Sequence, residues 1–459
     1  MRHVPRRIHL AGIGGAGMSG LAELLHAYGH TVTGSDREQS PVTVRLEKLG
    51  VAIQYDHVPR LVLSADLLIY SSAIREDNPE RVYARGHCAE MRRAEALGEL
   101  MRAFTTICIA GTHGKTTTTS LTGAIMTVAG QRPTVLVGGT LIAEGAPVII
   151  GRDSGLLVAE ADEYDRSFLA FSPTIALITN IEADHLDCYE NLDAIKDAFA
   201  AFAARVPFYG AVVCCSDDAG VRAVMPKIDR RARRVVTYGT ASADFCARNI
   251  EFAGGGLPSF DVVSGNRMLG RVTLTIPGMH NVLNALGAIA AAMTMGIDFE
   301  PARAALSVFA GVRRRFEIVG RGSKVTVIDD YAHHPGEIAA TLDAARRSGF
   351  ARIIAVFQPH LYSRTRDFLG DFALSLSAAD TVIVAPIYKS REEPVPGVSG
   401  EAIVAKLRER GFTDAYYVAD KREIQTLVES RIIEGAAVVV MGAGDITLTA
   451  RSLAEALNG

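Results

Sequence analysis

Thr106-Ile107-Cys108-Ile109-Ala110-Gly111-Thr112-His113-Gly114-Lys115-Thr116-Thr117 is the stretch that decides the reading of this chain. It opens as an apolar run of strand type and then meets a glycine loop. Beyond it, Leu121, Ala124, Ile125 and Val128 recur at helical spacing. Strand, glycine loop, Gly-Lys-Thr and helix together form the layout that holds a nucleoside triphosphate. Backbone N–H groups of the loop and of the helix N-terminus face the phosphates. Lys115 is expected to reach the β- and γ-phosphates and the Thr116 hydroxyl to ligate Mg²⁺, with Gly111, Thr112, Gly114 and Thr117 completing the loop. The common pattern has a further glycine where Ile109 stands. The plain alternative is a glycine turn with a surface lysine; the strand before it and the helix after it favour the phosphate site.

Outward from this loop, strand and helix patterns alternate from end to end, which predicts an α/β protein built on parallel sheets. Its 459 residues amount to roughly three domains. A Rossmann-like first domain is expected over residues 1–102, with strands at Ile8–Ala11, Thr31–Ser35 and Leu67–Tyr70. A central P-loop ATPase-type sheet is expected over 103–309, with strands at Leu156–Ala159, Ile175–Thr179 and Val212–Cys215. A glycine-rich sheet extension falls near 240–276, and a helix over Ala285–Met293 ends the domain. A second Rossmann-like domain follows over 310–459. Its strands are expected at Val325–Ile328, Ile353–Phe357, Val382–Ala385, Tyr416–Val418 and Val438–Met441.

Composition bounds the function class. Apolar residues make up 48% of the chain, enough for a sizeable core, and the net charge of −3 argues against a general nucleic-acid binder. The run Arg230, Arg231, Arg233, Arg234 reads as a solvated face. No stretch is long and apolar enough to span a membrane, and the basic N-terminus is a poor secretion signal. The six cysteines lack C-x-x-C spacing and read as small buried residues in a reducing compartment. A cytoplasmic enzyme, monomeric or homodimeric, is the expectation.

Further constellations carry chemistry. Gly12-x-Gly14-x-x-Gly17, with Asp36 beyond the next strand, is the dinucleotide pattern. Any diphosphate fits such a turn, and a UDP-type diphosphate is preferred to NAD because the chain already carries a triphosphate loop. Glu160 ends an apolar run and opens a cluster with Asp162, Glu163 and Asp165, carboxylates that repel unless solvated or shared by cations. It is either a charged loop or a Mg²⁺ site. Asn180-Ile181-Glu182-Ala183-Asp184-His185-Leu186-Asp187 follows another strand. There His185 is a capping residue or, less usually for hard Mg²⁺, a ligand of a weaker second site that also accepts Mn²⁺. His280-Asn281-Val282-Leu283-Asn284 opens a helix with two amides on one face, suited to an adenine edge or to capping. Arg313-Arg314-Arg315, Asp329-Asp330-Tyr331-Ala332-His333-His334 and Gln358-Pro359-His360-Leu361-Tyr362-Ser363-Arg364-Thr365-Arg366 gather at strand ends as a pocket for anions.

Taken together and in order, these motifs resemble the Mur ligases, the ATP-dependent amide-forming enzymes of peptidoglycan synthesis. Gly12-Ile13-Gly14-Gly15-Ala16-Gly17-Met18, Gly111–Thr116, Asn180–His185 and Tyr362-Ser363-Arg364-Thr365-Arg366-Asp367 look most like the member that joins L-alanine to the lactoyl carboxylate of UDP-N-acetylmuramate through an acyl phosphate. The resemblance implies UDP-sugar contacts at Gly14, Gly15, Gly17, Asp36, Ser72 and His113. It implies ATP at Lys115 and Thr116, with the adenine near His280, Asn281 and Asn284. Thr116 and Glu160 match one Mg²⁺ site, and Glu160 with His185 a second cation. Arg314 and Asp330 match positions near the phosphates, and Tyr331, His333 and Arg364 the amino-acid end. The catalytic set it implies is Lys115, Glu160, His185, Arg314 and His333, with the last domain closing over the site. Many relatives have Arg where this chain has Leu361, so that share of carboxylate binding differs here. No lysine falls in 184–191 for the carbamylated position of later-acting relatives, and Lys196 lies further along. Two other readings are a recycling ligase that adds the L-Ala-γ-D-Glu-diaminopimelate tripeptide to the same sugar, and a nicotinamide-dependent dehydrogenase led by the glycine fingerprint.

Overall fold

The computed structural model describes residues 6–142, 145–146, 148–151, 155–185, 188–390 and 392–457. Leu186 and Asp187 of the histidine motif, and most of the basic N-terminus, lie outside the described residues. The fold is α/β with three sheets. The first contains β1 (Arg7–Ala11), β2 (Thr31–Ser35), β3 (Ala52–Gln54), β4 (Leu67–Tyr70) and β5 (Ala89–Arg92), ordered β3-β2-β1-β4-β5 and all parallel. This is the Rossmann order, with the glycine turn leaving the carboxyl end of central β1.

The second sheet is built on β6 (Thr105–Ala110), which lies between β9 (Leu156–Ala161) and β10 (Ile175–Ile178). Beyond β9 come β7 (Thr134–Leu136) and β8 (Val148–Ile149); beyond β10 come β11 (Ala211–Cys215) and β12 (Arg234–Gly239). Only β7 and β8 pair antiparallel in this part of the sheet. β6, β9, β10 and β11 at its centre are buried on both faces, as parallel strands covered by helices must be. Cys108 in β6 and Cys214 and Cys215 in β11 are part of that burial, whereas Cys88 and Cys188 are half-buried.

The chain forms two compact units. The first holds the first sheet, β6 to β12 and the start of β13 (Phe245–Ala253), which pairs with β12 through Phe245 and Cys246. One apolar cluster runs through this unit, from Leu10 and Leu21 to Phe199 and Phe202. The second unit holds the rest of β13 and most of β14 (Leu257–Ser264) and β15 (Arg267–Thr273), ordered β13-β14-β15 where a sheet extension is expected.

The second unit also holds the third sheet, with β16 (Glu317–Arg321), β17 (Val325–Asp330), β18 (Arg352–Phe357), β19 (Thr381–Val384), β20 (Ala415–Tyr417) and β21 (Ala436–Met441). Its order is β16-β17-β21-β18-β19-β20, and only edge strand β16 is antiparallel, with a register shift between Ile318 and Gly320. Val438, Val439 and Val440 at its centre are fully buried, and each contributes about 1.5–3 kcal/mol relative to exposure. A charge at Val439 would leave an unpaired ion between two covered faces and break this sheet.

Candidate active site

The phosphate loop is shaped by its glycines and by its neighbours in the first unit. Gly111 and Gly114 have φ of +139° and +80°, which side-chain-bearing residues rarely adopt. A Cβ on Gly111 would stand 2.0 Å from Thr179 Oγ1, and one on Gly114 would stand 2.4 Å from Asn284 Oδ1. Asn284 is thus brought directly over the loop. Asn180 clamps the other side: its carbonyl accepts from Thr112 N (3.1 Å), its Oδ1 accepts from His113 N (2.7 Å), and its Nδ2 donates to His113 O (3.1 Å). The helix Lys115–Val128 then starts with no acidic residue in its first turn and no side-chain cap. Its positive dipole end is left to face an anion.

Lys115 is poised rather than extended. Its Nζ donates to Gly111 O (2.7 Å) and to Glu163 Oε2 (2.7 Å), and it lies 3.8 Å from Asp162 Oδ1. Burial disfavours its charge, but Glu163 and Asp162 more than offset this and hold the ammonium well above its usual pKa. In this structure the cation that Asp162 and Glu163 share is the loop lysine. Thr116 and Thr117 are buried at the helix start beside it.

Glu160 sits near the carboxyl end of β9, and its Oε1 accepts from Gly138 N (2.8 Å). The carboxylates grouped with His185 are Asp162 and Glu163; among the described residues, these three could hold a metal ion, with ligand atoms within 4.8 Å of one another. His185 has φ +54° and places Nε2 3.8 Å from Glu163 Oε1. That Glu163 oxygen is buried and has no hydrogen-bond partner. A divalent cation fits such an oxygen, since a buried carboxylate lone pair without a donor is costly.

At the glycine fingerprint, Gly12 N and Ile13 N both donate to Ser35 O (2.9 and 3.0 Å), and Gly14 N donates to Asp36 Oδ2 (2.7 Å). Asp36 braces the turn, and Gly15 caps the helix Ala16–Ala27. Sequence reasoning overlooked Arg93. Its Nη1 lies 2.8 Å from where a Cβ on Gly17 would stand, and Asp162 and Glu160 act on its charge. Ser72, Arg92, Arg93, Asp165 and Arg166 line a cavity of about 110 Å³. Asp165 and Arg166 have φ of +53° and +55°, a strained pair at the wall of this cavity, whose three arginines are joined by Asp165 and Glu95. The Arg92-Arg93 pair carries no motif of its own; only the fold brings it to the glycine turn.

The second unit gathers its own cluster. Asp330 ends β17 and accepts from Phe316 N (2.7 Å) and Ala332 N (2.8 Å). Burial raises its pKa to about 6, against the pull of Arg315. Arg314, at φ +58°, donates to Gly442 O and lies over the Tyr331 ring at 4.8 Å. His333 Nδ1 lies 3.0 Å from Tyr331 O and 3.1 Å from Glu337 Oε2, and its ring stands 5.9 Å from that of His360. Arg364 is buried in the helix Tyr362–Asp367, which begins after Leu361 at φ +70°. His280 is pushed down to about 4 by burial and by Arg315, so it is neutral at physiological pH. Asn281 Nδ2 donates to Pro277 O (2.7 Å), bonding back along the start of its own helix.

The structure thus shows a glycine loop with a half-buried lysine at a helix start, a carboxylate group beside His185, a second glycine turn and a separate His–Tyr–Arg cluster. Comparison with known proteins agrees with this division. Three family models match successive parts of the chain: Mur ligase family, catalytic domain over residues 7–105; Mur ligase middle domain over 109–292; and Mur ligase, glutamate ligase domain over 314–444. The UDP-N-acetylmuramate–L-alanine ligase of Salinibacter ruber is 46% identical, over 98% of this chain and 95% of its own. That of Sorangium cellulosum is also 46% identical, over 98% and 96%. Among solved structures, the UDP-N-acetylmuramate–alanine ligase of Thermotoga maritima superposes with a TM-score of 0.82 at 32% identity, covering 98% of both chains. A murein peptide ligase from Psychrobacter arcticus gives 0.72 at 28% identity, covering 99% of both. With near-complete coverage at such identity, and the phosphate loop, glycine turn and strand-end cluster falling each within its own family segment, the chain belongs to the Mur ligase family.

Proposed function

We propose that this protein joins L-alanine to the lactoyl carboxylate of UDP-N-acetylmuramate, with ATP converted to ADP and phosphate, as the first amino-acid addition of peptidoglycan precursor synthesis. The reaction class rests on one observation: Lys115, half-buried and held charged between a loop carbonyl and Glu163, at the mouth of a helix that lacks an anion of its own. The choice of sugar and amino acid is supported by the relatives named above.

A carboxylate is a poor electrophile, so its oxygen first attacks the γ-phosphorus of ATP and ADP leaves. The α-amine of alanine then attacks the acyl carbon. The tetrahedral adduct collapses to the amide, losing phosphate and the proton of the amine. Lys115 neutralises phosphoryl charge as it develops, exchanging Glu163 for the nucleotide. Thr116 and Glu160 would hold a Mg²⁺ ion, which would supply further charge neutralisation, and Asp162, Glu163 and His185 are suited to a second ion, with Mn²⁺ acceptable there. Gly111, Thr112, Gly114 and Thr117 cradle the phosphates, and His280, Asn281 and Asn284 serve the adenine. Gly14, Gly15, Gly17, Asp36, Ser72 and His113 serve the UDP-sugar. Arg314, Asp330, Tyr331, His333 and Arg364 serve the phosphate and amino-acid ends. The corresponding domains are 1–102, 103–309 and 310–459, in a protein working in the cytoplasm where ATP and UDP-sugars are found. Among the described residues, no helix is long and apolar enough to cross a membrane.

The test is ADP release with UDP-N-acetylmuramate and each of L-alanine, glycine, L-serine and the L-Ala-γ-D-Glu-diaminopimelate tripeptide. L-alanine is expected to have the highest kcat/KM. Glycine should be slower by roughly 10–200-fold, the range that one methyl group in an apolar pocket provides. A preference for the tripeptide would reassign the protein to peptide recycling.

A further inference from the structure

Beneath the glycine turn, the first unit buries a carboxylate that the reaction does not use. Glu80 opens the helix Pro79–Ala84 and is fully buried. Its Oε1 accepts from His9 Nε2 (3.0 Å) and from Gln54 Nε2 (3.0 Å). Its Oε2 accepts from Ser35 Oγ (2.7 Å) and lies 2.9 Å from His57 Nδ1. Burial alone would raise its pKa; the hydrogen bonds from His9, Ser35 and His57 more than offset that and keep it ionised. Hydrogen bonds to an ionised acceptor are roughly twice as strong as neutral ones, so this is a stiff junction. It ties β1, β2 and β3 together through His9, Ser35 and Gln54.

Two of those partners lead to the turn. The Ser35 carbonyl accepts from Gly12 N and Ile13 N. Asp36, whose Oδ2 holds Gly14 N, has its own N–H bonded to Gln54 O (3.0 Å). The residues on either side of the Ser35–Asp36 peptide thus hold the glycine turn, and Glu80 fixes Ser35 from one side and Gln54 from the other. We infer that Glu80 is a positioning residue for the diphosphate of the UDP-sugar, acting through Ser35, Asp36 and Gln54 on the Gly12–Gly14 turn. The inference rests on the proposed use of that turn for the UDP-sugar.

Glu80→Gln keeps the volume but leaves one side-chain oxygen where two accepted. The KM for UDP-N-acetylmuramate should rise about 10-fold, while kcat and the KM values for ATP and L-alanine move less than about 3-fold. Direct titration with UDP-N-acetylmuramate alone should show the same loss. Ser35→Ala, which removes a single link, should shift the same constant in the same direction by less, and it carries the decision if Glu80→Gln does not fold. A lowered melting temperature with an unchanged UDP-sugar KM in the folded variant would mean a purely structural carboxylate and overturn the assignment. Gly14→Val separates the two levels, because its side chain would meet Asp36 Oδ2, already 2.8 Å from the Cβ position. If Gly14→Val raises the UDP-sugar KM and Glu80→Gln does not, only the role of Glu80 falls. If Gly14→Val leaves it unchanged, the UDP-sugar reading of the turn falls, and the inference with it.

Discussion

Lys115 is held ready by contacts that it must give up. Lys115→Ala removes the charge aimed at the γ-phosphoryl group and should lower kcat/KM by about 10³-fold or more with the fold intact. Circular dichroism and ADP release on the same sample check this; near wild-type turnover would refute the phosphate-loop assignment. Glu160→Gln keeps the side-chain shape and one oxygen for Gly138 N but loses the charge a cation needs. The Mg²⁺ concentration giving half-maximal rate should rise while UDP-sugar binding stays, and superimposable Mg²⁺ curves would exclude Glu160 as a ligand. Asp330 offers a stability readout. Its folded pKa is about 6 against an ordinary value of 3.8, so between those values the native state holds a proton that the unfolded chain has released. Stability is therefore lost as pH rises from about 3.8 to about 6, by up to about 3 kcal/mol. The difference in urea stability between the native protein and Asp330→Asn, taken at pH 4 and pH 7, should change by an amount of that order. A pH-independent difference would mean that Asp330 ionises as freely in the fold as out of it.

The phosphate-loop element depends on two backbone conformations. Gly114→Ala has to bear φ +80° and meet Asn284 Oδ1 at 2.4 Å, a combination costing about 1–3 kcal/mol from backbone strain alone. A raised KM for ATP with an unchanged UDP-sugar KM is expected, and binding titrations with each nucleotide check it. Elements made of continuous buried apolar residues were legible in the sequence: β6, β9, β10, β11, β18 and β21 all lie where apolar stretches place them. β3, β5, β7 and β8 were not, because β3 and β5 mix polar with apolar residues and are largely unburied, and β7 and β8 are only two or three residues long. Edge strand β16 was missed because its alternation is weak and it runs against the sheet. At the site, residues inside motifs were legible, including Lys115, the carboxylates after β9 and Asn284 above the loop. Arg93 and Glu80 were not singled out, and Asn180 was quoted within its motif without a role, since their importance comes from contacts with residues far along the chain.

At the scale of the whole molecule, the order of the motifs carried more than any one of them. A glycine fingerprint alone is open to NAD, and a Gly-Lys-Thr loop alone to any NTPase; in succession, with the third-sheet cluster after them, they leave few chemistries. The burial of the cysteines has a practical consequence for covalent labelling. Cys108 and Cys214 are pushed to about 12 and Cys215 to about 11 by burial, and Cys246 is buried as well. Alkylating reagents attack the thiolate, so these four are silent in the native protein. Iodoacetamide at neutral pH should modify only Cys88 and Cys188, while denaturation exposes all six thiols; counting adducts by intact mass checks this. Cys188 N donates to His185 O (2.8 Å), so if a cation binds at His185 as proposed, the alkylation rate of Cys188 should change when Mg²⁺ or Mn²⁺ is added, with no engineered probe in the chain.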